Sequence, residues 1–191
     1  GEMLSVMDAS LALAGKNAHM PWVMHFTLQK AWLLLQAADY TGAKALCQPI
    51  YEQARLMPSS SLYFFSVIIL LQIEVMSSQS GGQQVAFSNA ASLDGSAGRA
   101  QAAGQNEAEK YVTEINERLA DEPTAIDWVL RLPLQQGLAE FYLQHGEWDK
   151  AAAEAGTLKL QAEYSGEQTY IALADYYLAR SAIAAYRSDI K

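Results

Sequence analysis

Few side chains in this chain could perform chemistry. The three histidines, His19, His25 and His145, are the natural metal ligands to consider first. No two stand at the i, i+4 spacing that sets a pair of ligands on one helical face, and no carboxylate completes a ligand set. His145 instead falls at the end of a helix, where a partly protonated imidazole suits the negative end of the helix dipole. Cys47 is the only cysteine. As a nucleophile it would need a base and an orienting group, and neither follows in a recognisable pattern. It is expected to fill a small gap between helices. Glu74 lies inside the apolar run Leu62–Met76; a buried carboxylate there would require a partner or a raised pKa, so it is expected to face solvent or the helix end. Nucleophile-elbow, phosphate-loop and dinucleotide-binding patterns are absent from the sequence. No catalytic, metal or cofactor role is therefore expected, and recognition by surface shape and charge remains.

Composition narrows the class further. A chain of 191 residues with 51% hydrophobic content has enough material for one domain with a substantial core, spanning 1–191. Alanine, leucine, glutamine and glutamate dominate, which favours helix over sheet. The formal charge is −8 and the pI about 4.8, without any lysine or arginine cluster. Direct binding to nucleic acid or to an anionic membrane is disfavoured on that ground. One cysteine permits no intramolecular disulfide, which fits a reducing compartment. No signal peptide opens the chain, and Leu62–Met76 is too short to span a bilayer; the expected location is cytoplasmic. Gly1 in place of methionine reads as a tag scar or the edge of a fragment of a larger protein.

The elements that would position a recognition surface follow from apolar periodicity. Helices are expected over Leu4–Ala14, Trp22–Ala38, Ala43–Met57, Leu62–Ser77, Asn106–Leu119, Ile126–His145, Glu147–Tyr164 and Glu167–Arg187. Pro49 and Pro133 lie inside two of them as possible kinks. Residues 78–105, rich in Ser, Gly, Ala and Gln, read as a flexible insertion. Thr124 is the expected N-cap after Asp121-Glu122-Pro123.

Two of these hairpins are alike. Leu138, Ala139, Tyr142, Gly146, Trp148 and Ala151 describe a leucine, a small residue, an aromatic, a glycine turn, a second aromatic and a close-contact alanine. Upstream, Ala31, Leu34, Asp39, Tyr40 and Ala43 make a fainter copy, and a truncated third begins at Ala174 and Tyr177. Ala43 and Ala151 stand 108 positions apart (151 − 43). On these residues the chain resembles a tetratricopeptide repeat (TPR) protein. It departs from that pattern at Gln135, Ala155, Lys30 and Cys47, where Trp, an aromatic, Leu and an aromatic are usual. The resemblance implies an all-α fold of seven or eight helices, stacked as antiparallel hairpins into a right-handed superhelix. Its irregularity is similar to the C-terminal repeat regions of bacterial STAND-type ATPases and transcriptional regulators.

In such proteins the inner face of each first helix meets the partner. The implied partner-facing positions are His25, Leu28, Trp32, Leu35 and Gln36, and downstream Gln136, Glu140, Leu143 and Gln144. The expected function is a non-catalytic scaffold for protein or peptide, acting as a regulatory segment beside flanking domains of a larger bacterial signalling protein. The alternative is a helical domain that binds a peptide or small effector in its concave face.

Overall fold

A computed structural model describes residues 2–17, 19–57, 61–88, 96–121, 126 and 128–189, with side chains placed for these except at 78–88, 96–106, 128 and 189. Among the described residues the fold is all-α, with eight helices and no strand: α1 (Glu2–Lys16), α2 (Met20–Gln36), α3 (Tyr40–Ala54), α4 (Ser61–Ser88), α5 (Ser96–Asp121), α6 (Trp128–Gln144), α7 (Trp148–Ser165) and α8 (Gln168–Asp189). The main difference from the sequence reading lies around the expected insertion. Helical backbone runs on to Ser88 and resumes at Ser96, so alanine and glutamine propensity sustains helix where large apolar residues are missing. Residues 89–95 and the expected cap Thr124 lie outside the described residues. Pro49 and Pro133 are accommodated within α3 and α6.

The chain divides into two compact units, Gly1–Ala125 and Ile126–Lys191. In the first, α1 to α4 each pack on the next helix, and α2 also touches α4. In the second, α6 packs on α7 and α7 on α8, with α6 also touching α8. Within each unit, then, a helix meets both its hairpin partner and the helix after that, which is the contact pattern of stacked hairpins.

The register of 108 positions runs through three helices of each unit. In α3 the buried residues Ala43, Cys47, Ile50 and Ala54 correspond to Ala151, Ala155, Leu158 and Ala162, all buried in α7. In α2 the buried Met24, Ala31 and Leu35 correspond to the buried Leu132, Ala139 and Leu143 of α6. The turns agree atom for atom. Ala38 and Gly146 both take the left-handed conformation, with φ of 60° and 75°. The Asp39 N–H donates to the Leu34 carbonyl at 2.9 Å, and the Glu147 N–H to the Tyr142 carbonyl at 2.9 Å. Small residues recur at the crossings because fully buried alanines let helix axes approach.

The core of the first unit is α4. Every residue from Tyr63 to Val75 is buried. Glu74 is among them at 8% exposure, which corrects the expectation that it faces solvent. Its carboxylate is ion-paired to Lys44 of α3, so the partner that burial demands is supplied by a neighbouring helix.

Candidate functional site

Two constellations of charged and aromatic side chains stand out, one in each unit. In the first, two tyrosines converge on Glu114 of α5 and a third packs beside them. Tyr51 Oη donates to Glu114 Oε2 at 2.6 Å, Tyr63 Oη donates to the same oxygen at 3.3 Å, and Arg55 approaches Oε1 at 3.7 Å. The ring of Tyr111 meets that of Tyr51 edge-on at 5.5 Å. The Arg118 guanidinium lies 3.9 Å above the ring of Tyr63 and donates to the Arg55 carbonyl at 2.7 Å. Burial is the main cause that pushes all three phenols well above their usual range. They hold their protons throughout the neutral range, so none can serve as a base there. The cluster joins α3, α4 and α5 through satisfied polar groups and works as a clasp. Cys47 is equally inert: its Sγ donates to the Ser66 carbonyl at 3.2 Å, and burial pushes the thiol far up.

The second constellation lies in the second unit, where α8 packs on α7 and also meets α6. Glu140 of α6 is buried, and both its oxygens accept from Arg180 Nη1 at 3.2 Å. The same nitrogen lies 3.2 Å from the Tyr176 hydroxyl. Beside this pair runs an open groove of about 570 Å³, lined by Leu143, Trp148, Arg180, Ile183, Ala184, Arg187 and Ser188. The α6–α7 turn builds one wall. Gly146 takes a positive φ there, and a Cβ on it would meet the Trp148 ring at 3.5 Å. The turn and the indole are thus packed together, which fixes the ring at the groove's edge. The last turns of α8 make the other wall.

The structure places the expected partner-facing residues in different surroundings. Leu28 and Leu35 are core residues of the first unit. Trp32 is half-buried against Phe65 with ring centroids 6.4 Å apart. His25 joins Trp22, Phe26 and Phe65 in an aromatic cluster, and Gln36 is exposed. In the second unit Gln136 is hydrogen-bonded to Tyr177, Glu140 is held by Arg180, Leu143 lines the groove and Gln144 is half-buried. Sequence reasoning did not single out Arg180, Ile183 and Arg187. Their i, i+3, i+7 spacing along one helical face was a legible signal.

Among the described residues no group of three or more His, Cys, Asp or Glu could hold a metal ion, and no helix is long and apolar enough to cross a membrane. Comparison with models of known protein families, with curated proteins and with solved structures finds no match to this chain.

Proposed function

We propose that the chain is a divergent TPR-like scaffold that binds a protein or peptide, and that its second unit carries the docking groove. The single observation behind this reading is the open, apolar-floored groove beside Glu140–Arg180, with an indole at one edge and arginines on its rim. Peptide-binding grooves combine apolar anchors with a few fixed polar contacts. The repeated hairpin with its 108-position register, and the contact of each first helix with the next but one, support the TPR-like assignment. A regulatory segment beside flanking domains of a larger bacterial signalling protein is the role such an array suits. A small effector would call for an enclosed cavity. The larger groove of the second unit, about 870 Å³ between α6 and α7, is instead rimmed by the exposed Leu160 and Tyr164.

The test is cross-linking of the full chain in an extract of its source cells, followed by mass spectrometry. Proteins captured by the wild type and by the exposed control Ala45→Glu are expected to be lost with Ile183→Glu. Undiminished capture by Ile183→Glu removes this groove from the reading.

A further inference from the structure

Between Tyr63 and Val75, α4 has no solvent side. In α5 the buried residues Ala108, Tyr111, Val112 and Ile115 recur at helical spacing. In α3 Ala43, Cys47, Ile50, Tyr51 and Ala54 do the same, so burial alone fixes how each of these helices is turned. Every α4 residue from Tyr63 to Val75 is buried. Ile68, Ile69, Leu70 and Leu71 follow one another, point in four directions and are all fully buried. The helix packs on α2, α3 and α5 at once. Turning it by one residue, about 100°, or sliding it by one turn, about 5.4 Å, exchanges one branched apolar side chain for another. Cores of this kind lose uniqueness before they lose stability. Apolar burial thus holds α4 in the core without choosing its rotation.

Polar side chains supply the missing direction. The Glu74 carboxylate is ion-paired to Lys44 of α3. Tyr63 lies eleven positions earlier (74 − 63). That is about 16 Å along the axis and within about 20° of the same face. Its hydroxyl donates to Glu114 of α5 at 3.3 Å, and the Arg118 guanidinium lies 3.9 Å above its ring. One edge of α4 is therefore tied to both flanking helices, three turns apart. The Ser66 hydroxyl is indifferent to rotation, because it donates to the Tyr63 carbonyl of its own helix at 2.8 Å. Turning α4 by one residue would carry Glu74 to the place of Ile73 or Val75, at 3% and 2% exposure. Sliding it by one turn would carry Glu74 to the place of Leu70, at 0%. Each move leaves a carboxylate among apolar groups without Lys44, which burial penalises heavily. In the native rotation the gain is modest. Lys44 is 42% exposed, so water screens the attraction while the carboxylate, at 8%, is dehydrated.

We infer that the Lys44–Glu74 pair is a register lock. It adds little net stability and selects one rotation of α4 out of several that the apolar residues tolerate, with Tyr63–Glu114 as a second anchor. Because α4 touches three helices, that choice also sets where α2, α3 and α5 lie, and with them the surface that the first unit presents.

The test compares variants of the full chain by urea unfolding and by amide correlation NMR with the α4 resonances assigned. Lys44→Met leaves Glu74 buried without its counter-charge and is expected to lower the urea midpoint by about 1 M, with a single set of resonances. The double variant Lys44→Met/Glu74→Leu is expected to return to within about 0.5 M of the wild type. It is nevertheless expected to show doubled or broadened α4 resonances, and α4 hydrogen exchange about tenfold faster than its midpoint accounts for. Ile73→Leu, a core swap that keeps the pair, is expected to retain one set. One sharp set with wild-type protection in the double variant overturns the inference, because apolar packing then sets the rotation. A double variant with a midpoint as low as the single's, or without a cooperative transition, also overturns it, since the pair then supplies stability. So does a Lys44→Met midpoint equal to that of the wild type, because an unpaired Glu74 would then penalise no wrong rotation. Multiplicity in Ile73→Leu as large as in the double variant overturns it too, by assigning the effect to repacking.

Discussion

The α2–α3–α4 and α6–α7–α8 segments share a register, a turn and a set of crossing residues, yet they close their cores by different chemistry. In the first, α2 meets α4 through aromatic contact, Trp32 and His25 against Phe65 at 6.4 and 6.2 Å. In the second, α6 meets α8 through the Glu140–Arg180 ion pair. In α3, Tyr51 reaches into the tyrosine–Glu114 clasp, whereas its counterpart Lys159 in α7 pairs with Asp175 at 2.7 Å. Tyrosines and an aromatic contact bury area and exclude water; ion pairs keep a helix in place while leaving one of its sides wet. In the first unit α5 also packs on α4, whereas Tyr176 and Ile183 of α8 are exposed.

Removing the ion pair probes that contrast hardest. Arg180→Leu leaves Glu140 buried without its counter-charge and is expected to cost about 2–3 kcal/mol in urea unfolding, the partial exposure of Arg180 keeping the loss from being larger. The double variant Glu140→Leu/Arg180→Leu is expected to recover most of the loss, because two apolar groups need no compensation. A double variant no better than the single would show that the pair is not what closes α6 on α8.

Overpacking tests whether the two crossings are equivalent. Ala43→Leu and Ala151→Leu, both at fully buried positions, are each expected to cost about 1–3 kcal/mol, and the exposed Ala153→Leu less than about 0.5 kcal/mol. Clearly unequal effects at Ala43 and Ala151, by thermal or urea unfolding, would break the register.

Alkaline pH should separate the units. Tyr51, Tyr63 and Tyr111 have folded pKa values raised above those of the unfolded chain. Below the unfolded value, near 10, both states hold the protons and the stabilising contribution is complete. Above it the unfolded state releases protons first, so stability falls as pH rises. The second unit has Tyr177 and Tyr170 raised in the same direction. Hydrogen exchange measured between about pH 9 and 11 is expected to show protection lost faster in α3–α5 than in α6–α8, with Tyr51→Phe reducing the difference.

The smallest effects lie in the turns. Asp39 caps α3 by accepting from the Gly42 N–H at 2.9 Å, whereas Glu147 makes no side-chain cap on α7. Asp39→Ala is expected to cost about 1 kcal/mol and Glu147→Ala a few tenths. Ala38→Gly relieves a left-handed alanine and is expected to stabilise by about 0.5 kcal/mol, while Gly146→Ala costs a similar amount. Shifts in the midpoint of thermal unfolding read all four.

Much of the architecture was legible in the chain. Periodicity located the helices, and Gly146, Asp39 and the alanines at 43 and 151 marked the hairpins, because turn chemistry and close contact admit few residue types. The ends of α4 and α5 were less legible, since a polar, alanine-rich stretch can continue a helix without an apolar signal. Glu74 was misplaced because its partner Lys44 lies on another helix, thirty positions away. The groove was half visible: Leu143 and Glu140 stood among the expected residues, but Arg180, Ile183 and Arg187 did not.

Sequence by itself determined the all-α class, the antiparallel hairpins and the 108-position register, all of which rest on local propensity, turn conformation and periodic burial. Which polar groups are buried together, and which apolar stripe remains uncovered, was decided only in three dimensions. Glu140 and Trp32 occupy one register position, and so do Arg180 and Gln72, yet Arg180 stands partly exposed beside an open groove while Gln72 is buried. That outcome depends on what neighbouring helices bring to each face, and pairing energies between distant residues carry no period that a single chain can display.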